Sequence, residues 1–209
     1  MKNNGVNEND SQFQEKKNIY EMVQFHYHIA LRQKNFYNLL RTDTEALGEE
    51  TILIDVDYKQ KIYYGKNSPF QLTSEFYKYG SCSLLGFGVY YVDKKFNAVT
   101  KKEEKFINAW NFDLLSNDTS QKAADFIKGF RFLRKNSTFK SIEKKNYIIF
   151  SDTSKNFRCQ EVCHYYLREL TNEGIRVSFN YFGEYHGKVI YIYKIMFYTI
   201  NLEIIFFSL

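Results

Sequence analysis

Two short apolar runs, Thr51-Ile-Leu-Ile-Asp-Val-Asp57 and Asn146-Tyr-Ile-Ile-Phe-Ser-Asp152, read as buried strands, and each closes on an aspartate. β-Branched and aromatic residues suit a pleated, packed surface, and a short continuous run of them suits a strand covered on both faces. A carboxylate is costly inside such a layer, so one that ends a buried strand points into the crevice at the strand ends. Two such strands side by side would present two carboxylates at one edge. That arrangement binds divalent metal and serves phosphoryl transfer. Asp55 and Asp57 share one face of the first strand, with Val56 opposite. The plainer readings are a solvent-facing strand end for this pair and a helix N-cap for Asp152.

The remaining pattern supplies the sheet around these runs. Residues 1–17 are polar and predicted to be disordered. A helix is expected over residues 18–46, with Tyr20, Val23, Tyr27, Leu31, Phe36, Leu39 and Leu40 near one face and Gly48 as its stop. Strands are expected over Ile52–Asp57, Gly80–Val92 and Phe96–Asn108, the last two joined by a turn at Asp93-Lys94-Lys95. Asp118-Thr-Ser120 is expected to cap a helix ending near Arg134, with Ala123, Ala124, Ile127, Phe130 and Leu133 inward. Then come a strand at Asn146–Ser151, a helix at Lys155–Asn172 burying Val162, Tyr165, Tyr166 and Leu170, a stop at Gly174, and a strand at Ile175–Phe182. The fold class is α/β, a mixed α+β sheet in the order β-β-β-α-β-α-β after an N-terminal helix. A meander followed by parallel crossovers fits that order. It is the element order of the ribonuclease-H-like fold, in which the first and fourth strands are neighbours and would bring Asp57 beside Asp152.

Other groupings carry less. Cys159-x-x-x-Cys163-His164 has no second pair at zinc-site spacing, so core cysteines are the better reading. His26-Tyr-His28 puts its rings on diverging sides of a helix. Gly86-Phe-Gly88 lies inside a strand with no helix after it, which marks a bulge or a close approach rather than a phosphate loop. The net charge of +5 is compatible with a nucleic-acid partner without requiring one. Abundant Tyr, Phe, Ile, Asn and Lys beside a single Pro look like an AT-rich coding sequence, which weakens any argument from those counts. Three cysteines and a polar N-terminus without an apolar signal region point to a reduced intracellular compartment, the nucleus among those expected for a DNA partner. The stretch Val189–Leu209 is long enough to span a bilayer, but Lys194 and Glu203 would each cost roughly 2.5–3.5 kcal/mol at the centre of a membrane helix. A strand or a disordered end is therefore expected over a tail anchor.

The segment Asn180-Tyr-Phe-Gly-Glu184-Tyr-His186-Gly187-Lys188 gathers an acid, an imidazole and an amine where a strand ends in a glycine turn. With this segment, and with Leu53-Ile-Asp-Val-Asp57-Tyr-Lys and Phe150-Ser-Asp152 followed by Asn156-Phe-Arg158, the chain resembles the DDE-type transposases of eukaryotic cut-and-paste DNA transposons. The likeness covers roughly Asn18 to Lys188. It implies a ribonuclease-H-like core, residues 49–188, that cleaves and joins DNA ends. Asp57 would be the first catalytic acid and metal ligand, with Asp55 as the alternative, and Asp152 the second. Mg²⁺ or Mn²⁺ would be the cofactor, with no small-molecule cofactor besides. His186 and Lys188 would contact DNA, the expected partners being transposon ends and a second copy in a homodimer. The family carries a further acid shortly after His-Gly-Lys, where this sequence runs Val189-Ile-Tyr-Ile-Tyr. Glu184 is the nearest carboxylate left to act as third acid. The reading that follows is a truncated, inactive remnant of a mobile element's DNA cleavage and strand-transfer domain. The alternatives are a non-enzymatic DNA-binding or interaction domain on the same fold, or an active metal nuclease using Glu184.

Overall fold

The structure, a computed structural model, describes residues 11–64, 80–182 and 201–206. It divides into two compact units, Met1–Asn38 and Leu39–Leu209. Helix α1, Ser11–Thr42, makes up the described part of the first unit and gives its last turn to the second. It starts earlier than expected, so Ser11–Lys17 are helical rather than disordered. Of the residues expected near one face, Tyr20, Val23, Tyr27, Leu31, Phe36 and Leu39 are exposed, as are Met22, Phe25 and Ile29, while Leu40 is buried. Apolar residues are spread around this helix and leave no single stripe to bury. A short helix α2, Thr44–Leu47, follows in the second unit. Asp43 accepts hydrogen bonds from the amides of Glu45 and Ala46 at 2.8 and 3.1 Å, and Gly48, at φ +77°, ends it.

A six-stranded sheet organises the second unit: β1 (Thr51–Tyr64), β2 (Gly80–Asn97), β3 (Lys102–Ser116), β4 (Asn146–Ser151), β5 (Arg176–Tyr181) and β6 (Asn201–Phe206), in the order β5-β4-β1-β2-β3-β6. β1, β2 and β3 form an antiparallel meander, while β4 joins β1, β5 joins β4 and β6 joins β3 in parallel. The expected adjacency of the first and fourth strands is therefore present. The turn between β2 and β3 falls at Ala98–Lys101, not at Asp93-Lys94-Lys95. The Asn97 side chain accepts hydrogen bonds from the amides of Val99 and Thr100 and fixes the reversal there, with Lys101 at φ +52°. Within Val189–Leu209, the described residues Asn201–Phe206 are a strand on the free edge of β3. No described helix is long and apolar enough to cross a membrane.

One face of the sheet carries Ile52, Ile54, Val56, Phe87, Val89, Phe112, Leu114, Tyr147 and Ile149, all buried. Helices α3 (Ala123–Lys135), α4 (Ser137–Ile142) and α5 (Gln160–His164), the last continued by a π-helical segment Tyr165–Leu170, supply the opposing side of this core. The α3 residues Ala123, Phe126, Phe130 and Leu133 recur at helical spacing and are buried. Ala124 is exposed, contrary to expectation, and Phe126 takes the inward place. The cause is at the helix start: Asp118 caps only a turn, and the helix begins at Ala123. There the Asp125 carboxylate accepts hydrogen bonds from the Lys122 amide at 3.0 Å and the Ser120 hydroxyl at 2.6 Å. Likewise α5 starts at Gln160, not Lys155, yet Val162, Tyr165, Tyr166 and Leu170 are buried as expected.

Buried tyrosines give this core a pH signature. Burial pushes the Tyr165 phenol up to about 12, opposed by Arg134, and pushes Tyr147 and Tyr166 well above the usual phenol range. The unfolded chain releases such protons near pH 10, the folded chain only above that. Stability is thus unaffected well below pH 10 and falls as pH rises from about 10 towards 12. Urea midpoints at about pH 8 and pH 11.5 should differ clearly in that direction; equal midpoints would contradict the assignment.

Candidate functional site

Alternation along β1 puts Asp55, Asp57 and Lys59 on the sheet face opposite Ile52, Ile54 and Val56. In the ladder Asp55 lies across from Gly88 of β2, which in turn faces Asn111 of β3. Asp57 lies across from Gly86, and Gly86 from Asp113. Asp55 and Asp113 are buried, at 4% and 9% exposure, while Asp57, Lys59 and Asp152 are half-buried.

The two glycines explain how these side chains fit. A Cβ on Gly88 would stand 1.9 Å from Asp55 Oδ1, and a Cβ on Gly86 would stand 2.6 Å from Lys59 Cε. The carboxylate of Asp55 therefore lies directly over the β2 backbone. Lys59 reaches across Gly86 to place Nζ 2.5 Å from Asp113 Oδ1. The expected close approach at Gly86-Phe-Gly88 is present, and the ladder keeps its register there. Lys59 and Asp113 had no assigned role in the sequence reading. The signal for them was the glycine pair itself, since a glycine at every second position of a central strand marks where neighbouring side chains cross it.

On the other side, β1 and β4 run parallel with Asp55 beside Phe150 and Val56 beside Ser151 as the last pair. Continued by one residue, this register brings Asp57 alongside Asp152 where β4 ends; Asp57 does not close its strand as expected, because β1 runs on to Tyr64 in its pairing with β2. Asp152 is not the N-cap of α5, whose N-cap position is Cys159. One of its oxygens accepts the Ser154 amide at 2.9 Å and shapes the loop leaving β4. Glu184, His186 and Lys188 lie outside the described residues, so the third motif has no described geometry.

The donor set at Asp57 and Asp152 is hard oxygen on neighbouring strands, which fits Mg²⁺ or Mn²⁺, ions held by one or two carboxylates and several waters. Among the described residues no group of three or more His, Cys, Asp and Glu is placed to hold a metal ion. Asp113 is engaged by Lys59, so the described donors suit one hard cation rather than two. Cys159 and Cys163 are free and half-buried, and Tyr181, whose hydroxyl donates to the Phe157 carbonyl at 3.3 Å, packs near them. His26 and His28 are exposed on α1. Comparison of the chain with protein-family models, with curated proteins and with solved structures gives no match.

Proposed function

We propose that the second unit is a ribonuclease-H-like, transposase-derived DNA-processing domain whose metal position is Asp57 with Asp152, and that it binds DNA without turning it over. The observation that carries this reading is the parallel β1–β4 register, whose last pair, Val56 with Ser151, immediately precedes Asp57 and Asp152. The antiparallel β1-β2-β3 meander flanked by parallel β4 and β5 also supports it. Asp57 and Asp152 would hold the ion, with Asp55 as the alternative first ligand. Bound there, a divalent cation supplies Lewis acidity towards a phosphodiester. The chain's own residues arrange the carboxylates: Gly88 admits Asp55 against the sheet, Lys59 neutralises Asp113, and the Ser154 amide orients Asp152. Loss of turnover follows from the sequence after Lys188, which has Val189-Ile-Tyr where the resemblance calls for an acid.

Calorimetric titration with Mn²⁺ should give about one ion per chain, a stoichiometry set by one pair of carboxylates. Asp57→Asn combined with Asp152→Asn should abolish that binding; unchanged binding in the double variant would sink the assignment. A plasmid-nicking assay with Mg²⁺ should show no more cleavage in the wild type than in the double variant. Cleavage lost on Glu184→Gln would instead establish the active nuclease. DNA affinity should fall steeply with salt, as phosphate contacts require.

A further inference from the structure

At the C-terminal end of α3, lined by none of the aspartates considered above, lies a cavity of about 340 Å³, within the range of small-molecule sites. Residues of α3, α4 and the π-helical segment line it, with four cationic and three acidic side chains among them. The acids are already matched. Glu169 takes Arg131, with Nη2 to Oε1 at 2.5 Å and Nε to Oε2 at 3.2 Å. Arg134, only 15% exposed, holds Glu143 at 3.0 Å and Glu173 at 2.8 Å. What remains uncommitted is all donor. Lys135 and Lys140 are exposed and enter no ion pair among the described residues. Tyr165, 2% exposed, keeps its hydroxyl buried without a hydrogen-bond partner. Arg134 is near that hydroxyl but outside hydrogen-bonding geometry.

A buried hydroxyl with no acceptor loses stability unless something supplies one. We propose that this cavity binds a small phosphate ester or diphosphate, with Lys135, Lys140 and Arg134 meeting its charge and Tyr165 donating to one of its oxygens. Glu173, half exposed, is the carboxylate it displaces from Arg134, whose guanidinium stays paired with Glu143 meanwhile. A phosphate fits better than a single carboxylate because it brings enough oxygens and charge to engage two lysines and a guanidinium together.

The test is ³¹P-detected titration of the full chain with inorganic pyrophosphate at constant ionic strength, chloride serving as the balancing anion. A saturable shift is expected. Lys135→Gln with Lys140→Gln should weaken it about tenfold. Tyr165→Phe should weaken it about tenfold as well, without lowering the urea midpoint, because the hydroxyl it removes has no partner to lose. A tyrosine with a merely structural role would show the reverse pattern. The proposal is overturned by a shift that chloride reproduces, by affinity unchanged in the lysine variant, or by lysine-dependent binding of a duplex lacking terminal phosphates when pyrophosphate does not bind.

Discussion

Phe130→Ala is expected to lower the unfolding free energy by about 3–5 kcal/mol, the range for truncating a fully buried aromatic ring. Phe130 is inaccessible to solvent and stands at the meeting point of helix and sheet. Its ring lies 5.7 Å from Phe87, 5.9 Å from Phe126, 6.0 Å from Tyr165, 5.8 Å from Tyr166 and 6.4 Å from Tyr147. Several of these contacts are edge-to-face, a geometry that adds to simple burial. The neighbours come from β2, β4, α3 itself and the π-helical segment, so no single element can move in to fill the void. With a domain's whole stability at about 5–15 kcal/mol, the variant should be close to unfolding at room temperature. Urea denaturation followed by circular dichroism reads the effect. Phe96→Ala is the control: at 63% exposure it should change stability by less than about 0.5 kcal/mol. Equal losses in the two variants would show that Phe130 is not central to the core.

Gly88→Ala should cost about 3 kcal/mol, at the upper end for overpacking. The added methyl would meet Asp55 Oδ1 at 1.9 Å and Cγ at 2.9 Å. Asp55 is short, buried and fixed on a central strand, so it cannot swing clear without leaving the sheet surface. Gly86→Ala meets the methylenes of Lys59 instead, at 2.6 Å. A long side chain yields more easily, and the loss should be less than half as large. Asp55→Ala in the Gly88→Ala background should recover most of the cost. A double-mutant cycle showing simple additivity would mean the two side chains do not compete for this space.

The strands were legible where periodicity was strong. Asn146–Ser151 has its expected bounds, and the neighbouring of β1 and β4 follows from element order. The interior of the α5 and π-helical stretch was legible too, because Val162, Tyr165, Tyr166 and Leu170 are large and apolar. What escaped depended on local polar chemistry. Asn97, not the charged Asp93-Lys94-Lys95, turns the hairpin, because its side chain accepts two successive amides. Asp125 captures the start of α3 from Asp118 and rotates Ala124 outward. At the site, Asp55, Asp57 and Asp152 were visible as acids ending apolar runs, but the polar run after Asp57 hid that β1 continues to Tyr64. The Lys59–Asp113 pair was not, because it joins strands 54 positions apart through a glycine. The expected third strand also ended at Asn108, short of Asp113, so Asp113 was not placed on the sheet.

β6 has a consequence for how the chain acquires its structure. It pairs Asn201 with Trp110, about ninety residues earlier, and loop closure over such a span is slow compared with hairpin formation. During synthesis the meander β1-β2-β3 can assemble as soon as it emerges, while the outer edge of β3 waits until Asn201–Phe206 has been made. In that interval the backbone amides and carbonyls of a long strand stay open to pairing with another nascent chain. The crowding of ribosomes on one message, rather than the stability of the finished domain, would then set how much of this protein reaches its native form.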